Sequence, residues 1–268
     1  MIFKSEIENI ITNDLKKVLT TDIVYHYSNY NISLNEIILK QRLRFSDPKT
    51  FNDPFDCNEK LLKINYSEEV IDQTISDLSI NLSRQEKREL KRKIKNPNIQ
   101  NQILREKRKE YKLSCFSEYN DEILMWSHYA DKHSGICVGF SFPHKYEDKF
   151  ILCPVKYLDQ LKELEGTADV HRIILYWLTT KSIRWKYEKE IRAISKCKDQ
   201  SLNYEFINYD SRYIKEIIFG CNVPNEKIKA AMSIIQQSNL RHEYITIKRM
   251  VINETDFLLK EETIKPSA

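Results

Sequence analysis

Glycine is the residue this chain nearly lacks, with four in 268 positions. Phosphate-cradling loops of the P-loop and dinucleotide-binding kinds need closely spaced glycines, because only a residue without Cβ lets backbone N–H groups close around a phosphate. The scarcity of glycine therefore argues against those nucleotide sites. Proline does the punctuation instead. In "SDPKTFNDPFDC" (46–57), Asp47-Pro48 and Asp53-Pro54 predict two turns. These turns are expected to carry Phe45, Phe51 and Phe55 back across the first strand.

Between such breaks the apolar residues alternate between helical and extended spacing. Residues 5–20 read as an amphipathic helix on Ile7, Ile10, Ile11, Leu15, Val18 and Leu19, with Ser5 as its cap. Strands are predicted over 22–28, 43–48, 112–118, 135–142, 153–159, 187–196, 214–220 and 243–251. Further helices are predicted over 33–43, 121–131, 167–183 and 225–238. Because strands and helices interleave without regular βαβ spacing, the expected class is α+β, in one domain over 1–268. Hydrophobic residues at 41% and charged ones at 31% suit a folded chain long enough to bury a full core.

No apolar run approaches the length of a membrane span, and the first residues lack a secretory pattern. The six cysteines are scattered, with no CxxC pair and no metal-ligand spacing. Reduced thiols in the cytoplasm, no metal site and no membrane partner are the expectations that follow.

Charge is unevenly spread. Net charge is only +4, yet twelve lysines and arginines face four glutamates between Ser83 and Lys112. Residues 68–112 read as a helical insertion broken near Asn96-Pro97. It is either a solvated surface or a basic face for a nucleic-acid or other acidic partner.

Three constellations could carry chemistry. In Tyr25-His26-Tyr27-Ser28, strand alternation puts His26 and Ser28 on one face and Tyr25 and Tyr27 on the other. An imidazole beside a hydroxyl could hold a sugar or move a proton, or it could be a core histidine bonded to a backbone carbonyl. On the helix over 121–131, Trp126, His128 and Tyr129 are either site residues or an aromatic core stripe. In "KYEKEIR", Glu188, Glu190 and Arg192 would project from one strand face. They form either a charged site or an ion-pair ladder on an edge strand.

The runs "YHYS", "LRFSDPKTFNDPFD", "SCFSEYNDEILMWSHYADKHSGICVGF", "VKY", "KSIRWKYEKEIR" and "EIIFG" together resemble a widespread bacterial domain-of-unknown-function family, DUF2971, from about residue 22 to about 220. That family name implies no activity. The opening "YHYS…SLNEIILKQRLRF" with the late "YEKEIR" is also similar to ADP-ribosyltransferase-fold enzymes of the DNA-modifying toxin kind.

This second resemblance implies a split, mostly antiparallel β-sheet with peripheral helices, and NAD as a cofactor consumed in the reaction. The acceptor would be a nucleic acid or a protein, in a stress or anti-phage effector. It implies Glu190 as catalytic carboxylate with Glu188 beside it, and His26 and Ser28 on the NAD ribose. Tyr27, Phe45 or Tyr129 would stack on nicotinamide, and Arg44 or Arg192 would meet the pyrophosphate. Tyr25, Trp126 and His128 complete the NAD-binding set. The 51–57 loop would wall the pocket holding His26, with Asn52 or Asp53 at the ligand. The reading requires His26 and Glu190 to converge on one sugar-sized hollow. Two alternatives stay open, a nucleic-acid module using the basic insertion and a non-catalytic interaction protein.

Overall fold

The computed structural model describes residues 22–77, 81–160, 163–165, 170–197, 199–240 and 244–264. The helix expected over 5–20 lies outside them. The strands are β1 (Val24–Ser28), β2 (Arg42–Ser46), β3 (Ile64–Asn65), β4 (Tyr111–Ser117), β5 (Ile136–Phe140), β6 (Lys145–Tyr146), β7 (Phe150–Pro154) and β8 (Lys156–Leu158). They continue as β9 (Leu164–Glu165), β10 (Thr180–Ser182), β11 (Glu190–Lys196), β12 (Tyr204–Asn208), β13 (Ile214–Phe219), β14 (Thr246–Ile252) and β15 (Leu259–Thr263). The helices are α1 (Glu68–Asp77), α2 (Arg84–Ile94), α3 (Pro97–Arg108), α4 (Ile123–Tyr129), α5 (Val170–Leu178) and α6 (Asn225–Gln237). The fold is α+β.

Eleven strands join one open sheet in the order β15-β14-β13-β5-β1-β4-β11-β7-β6, with β2 and β12 branching from β4. Every pairing in it is antiparallel except β13–β14. The branch forms a fork. One edge of β4 carries β11 along its whole length. The other edge is shared, with β1 paired at Tyr25↔Ser117 and β2 at Ser46↔Leu113. The chain leaves the sheet after Ser46 and returns through Leu113 beside it. The 3-10 turns, β3 and α1–α3 form the excursion between those points.

Both faces of the sheet are apolar and covered. Val24, Phe116, Ile136, Val138, Phe140, Ile191, Ala193 and Ile217 build one face. Against it pack the π-helix Ser33–Leu39, through Leu34, Ile37 and Ile38, and α6, through Ile228, Ala231, Met232 and Ile235. The opposite face meets α5, through Ile173, Ile174 and Leu178, and α4, through Met125 and Trp126. Each fully buried Leu, Ile or Phe contributes about 1.5–3 kcal/mol by leaving water, so this double burial fixes which side chains share a face. No described helix is long and apolar enough to cross a membrane.

The two Asp-Pro turns form as expected. Asp47 and Asp53 each accept a hydrogen bond from the backbone N–H two residues on, at Lys49 and Phe55. The aromatics divide, however. Phe45 is fully buried, Phe51 half-buried, and Phe55 66% exposed, so they do not form one plug over β1.

Candidate functional site

Strand β11 opens with Glu190 and Arg192 on the face that meets α4 and α5. Both are buried, and so are the charged groups they meet. Arg192 uses all five of its N–H donors. Nε donates to Glu190 Oε1 at 2.8 Å and Nη2 to Glu190 Oε2 at 3.1 Å. The terminal nitrogens also grip Asp56 in a fork, at 3.0 and 2.5 Å, and Nη1 reaches the Leu178 carbonyl at 2.8 Å. A guanidinium saturated in this way has no donor left for a pyrophosphate. The expected Arg192–NAD contact is therefore corrected to a structural clamp between β11 and the 51–57 loop.

Lys181, on β10, bridges the carboxylates. Its Nζ donates to Glu190 Oε2 at 3.0 Å and to Glu188 Oε2, and it lies 3.8 Å from Asp56 Oδ2. The other Glu188 oxygen accepts the Tyr129 hydroxyl at 2.7 Å. Tyr129 is half-buried on α4, and the exposed Asn52 also reaches its hydroxyl. The Glu190 backbone N–H donates to the Tyr157 hydroxyl at 2.7 Å. The Cys115 thiol touches the Glu190 carboxylate, and the Cys57 thiol touches Asp56.

Glu188 reaches this cluster by a different route from the one strand alternation predicts. It ends a 3-10 segment, Ile183–Glu188, and Lys189 then turns through the left-handed region at φ 43°. That turn, and not a strand step, aims Glu188 back toward Lys181. The Glu188 carbonyl is held by the Ser117 hydroxyl at 2.7 Å.

Three carboxylates face two cations here, and the imbalance separates the acids. Burial opposes ionisation of Glu190, but Arg192 and Lys181 outweigh it and hold the carboxyl far below the usual range. Burial together with the Glu190 charge raises Glu188 above its ordinary value, against the pull of Lys181 and Tyr129. Burial would lower the Lys181 ammonium, yet the surrounding carboxylates raise it. Two adjacent acids driven in opposite directions is the arrangement acid–base chemistry uses. Here Glu190 is the more firmly ionised acid and Glu188 the more readily protonated one.

His26 does not join them. Paired residues of neighbouring strands share a face, and the pairs Tyr25↔Ser117 and Ser117↔Glu190 place Tyr25 with Glu190. His26, one residue on, faces the other side with Val138 and Phe116. There it has a definite task. Glu118 N–H bonds Lys189 O, so the even-numbered residues of β4 bond β11 and the Cys115 carbonyl points to the forked edge. His26 Nδ1 donates to that carbonyl at 2.8 Å where β1 has already diverged. Burial lowers its pKa, so the ring is neutral and fills the fork. The expected convergence of His26 and Glu190 is overturned by strand register.

Other expected site residues also have structural positions. Ser28 bonds the Ser33 hydroxyl at 2.5 Å on the His26 side. Tyr27 donates to the Tyr119 carbonyl and packs edge-on to Trp126, a fully buried core side chain whose Nε1 reaches the Asn120 carbonyl. Phe45 packs on Phe150 in the core. Arg44 is exposed and stacks 4.3 Å over Tyr204 on β12. Asp53 caps its own turn, and Tyr25 donates to Glu216. Register puts Tyr25 on the Glu190 face, but its hydroxyl turns outward along the sheet. His128 is exposed and touches Tyr129. Of the expected set, the structure gathers Glu188, Glu190, Arg192, Tyr129 and Asn52. It adds Asp56, Tyr157 and Lys181, which the sequence reading assigned no role. The signal for them was electrostatic: a strand burying Glu-x-Arg must find counter-charges nearby.

A protein-family model described as Protein of unknown function (DUF2971) matches residues 125–193. The match supports the DUF2971 resemblance over that stretch. The DUF2971 match is narrower than the resemblance over 22–220, yet it contains Tyr129, Tyr157, Lys181, Glu188, Glu190 and Arg192. Asp56 and Asn52 reach the same cluster from outside it. No curated protein and no solved structure gives a significant match to the chain.

Proposed function

We propose that the chain is an ADP-ribosyltransferase-type enzyme that cleaves NAD at the nicotinamide–ribose bond and passes ADP-ribose to a macromolecular acceptor, by a site that does without His26: strand register puts that imidazole on the other sheet face, so Glu188 and Tyr129 meet the ribose in its place. Glu188, not Glu190, is the working carboxylate. The observation that carries this reading is the divergence of two adjacent buried acids: Glu190 is clamped by Arg192, while Glu188 is raised and held by a half-exposed tyrosine. As the C1′–N bond breaks, its electron pair leaves with nicotinamide and positive charge develops on the ribose. An ionised carboxylate at that point stabilises it. The acceptor then bonds C1′ and gives its proton to Glu188.

Asn52 is the exposed member of the cluster, so a ligand approaching there meets Tyr129 and then Glu188. Trp185 lies 5.0 Å from Lys181 Nζ and 6.0 Å from the Tyr187 ring. It offers the aromatic surface for nicotinamide that buried Tyr27 and Phe45 do not. The test is chromatographic detection of nicotinamide after mixing the full chain with NAD and DNA, RNA or protein, with calorimetric titration of NAD alongside. Release lost in Glu188→Gln while the fold persists is the expected result. Absence of both release and NAD binding in the unaltered chain removes the proposal.

The saturation of Arg192 also favours a second reading, a non-catalytic ionic core in an interaction protein. It expects no NAD binding and no effect of Glu188→Gln beyond stability.

A further inference from the structure

The basic insertion separates into cations that hold the fold and cations that do not. Arg105 and Arg108 of α3 are both spent on Glu59, at 3.0 and 2.9 Å. Lys107 pairs with Glu110 and Lys109 with Glu106. On α2, Lys91 bridges Glu68 and Asp72 of α1 at 3.1 and 2.7 Å, and Lys95 also binds Glu68. These contacts pin α2 against α1.

What remains is a stripe. Arg84, Lys87, Arg88 and Arg92 follow one another at helical spacing and are all exposed, beside the side from which Lys91 holds α1. Among the described residues no ion pair reaches any of the four. Glu89 bonds Lys93 at 3.0 Å, and Glu86 is used in the capping box with Ser83. No residue of α2 is buried. The helix therefore contributes little core and presents four cations outside any ion pair over about 12 Å, at 1.5 Å per residue.

We propose that this stripe of α2 is a docking surface for duplex DNA, its cations meeting the phosphates that border the major groove. Charge complementarity selects a polyanion: a 12 Å length of duplex axis carries about seven phosphate charges. A single strand is held mainly by stacking on aromatic side chains, and α2 has none. The B-form major groove, about 12 Å wide, admits a helix, whereas the deep, narrow groove of A-form RNA does not. The inference stands on the insertion alone and is independent of the reading of the ionic cluster.

The experiment is fluorescence anisotropy with a 20-base-pair DNA of arbitrary sequence, titrated with the full chain between 50 and 200 mM salt. Parallel arms use duplex RNA, oligo-dT and polyglutamate. The stripe variant carries Arg84→Gln, Lys87→Gln, Arg88→Gln and Arg92→Gln. A charge-matched control carries Lys132→Gln, Lys215→Gln, Lys229→Gln and Lys260→Gln, and circular dichroism checks both folds. Expected is salt-dependent duplex binding that the control keeps. The stripe variant weakens at least tenfold, and its log–log salt slope falls by about 3–4, near 0.9 per phosphate contact. Three results overturn the proposal: no duplex binding by the unaltered chain, equal binding by the stripe variant, or stripe-dependent binding of RNA, oligo-dT or polyglutamate as tight as that of duplex DNA.

Discussion

Glu188→Gln and Glu190→Gln are the same chemical change two residues apart, and the cluster predicts opposite consequences for stability. At Glu190, the carboxylate receives Arg192 Nε on one oxygen and both Arg192 Nη2 and Lys181 Nζ on the other. A glutamine there must turn its NH2 toward donors, so one side of the amide faces N–H groups with nothing to accept them. Removing one partner from a buried ionic cluster costs about 3–5 kcal/mol. At about 2–4 °C per kcal/mol for a chain near this size, that is a fall in Tm of roughly 6–20 °C.

At Glu188, the amide oxygen can keep Lys181 and the NH2 can donate to the Tyr129 hydroxyl, which rotates to accept. The tally also improves, from three carboxylates against two cations to two against two. Glu188→Gln is therefore expected within about 1 kcal/mol of the unaltered chain at neutral pH, the range of changes that leave no buried group unpaired.

The pH dependence has a sign for each. Glu188 has a raised folded-state pKa, so the unaltered chain loses stability as pH rises from the unfolded carboxylate value, about 4.3, through the raised one. Glu188→Gln escapes that loss and gains relative to it. Glu190 has a depressed folded-state pKa, so its contribution is full above the unfolded value and is lost on acidification below it. The deficit of Glu190→Gln should therefore shrink toward pH 3. Urea unfolding at pH 3, 5 and 7 reads all of this. Equal destabilisation by the two variants at pH 7, or a Glu190→Gln loss under 1 kcal/mol, refutes the reasoning.

His26→Ala should cost about 1–3 kcal/mol by stranding the Cys115 carbonyl, while leaving any nicotinamide release by the surviving folded fraction unchanged; paired denaturation and release assays check both. Tyr129→Phe removes the hydroxyl from Glu188, so the acid limb of a pH–rate profile should move upward while the fold is kept. Gly135→Ala would place a Cβ 2.3 Å from the Ser28 carbonyl oxygen, a backbone clash that should abolish soluble expression or lower Tm sharply. Growth arrest on expression, relieved by Glu188→Gln, is the expected outcome if the chain acts as a toxic effector.

The strands with strong alternation, such as β1, β5 and β13, and the Asx turns at Asp47 and Asp53 were legible because their causes are local. The faces of separate strands were not. Alternation orders Tyr25 and His26 within β1, but whether either shares a face with Glu190 depends on the register through Ser117, which no short stretch encodes. Glu188 was misplaced because a lysine at φ 43° breaks a pattern that reads as continuous strand. Lys181 was hidden inside an apolar stretch read as helix through 183, whereas α5 stops at Leu178 and β10 follows. The polar, exposed β12 and β15 lacked the apolar alternation that marks a strand.

The departure of the chain at Ser46 and its re-entry at Leu113 lie side by side across the fork. The intervening excursion therefore works like a socket with fixed contacts. Doubling the length of such a loop costs only about 0.6 kcal/mol in closure entropy. Provided residues 47–57 keep Asp56 on Arg192, and Leu62 and Leu104 keep their places in the cluster beneath α5, the solvent-facing α2 can be swapped, shortened or lengthened while sheet and ionic cluster remain as they are. A single scaffold can in this way carry outer helices of different surface.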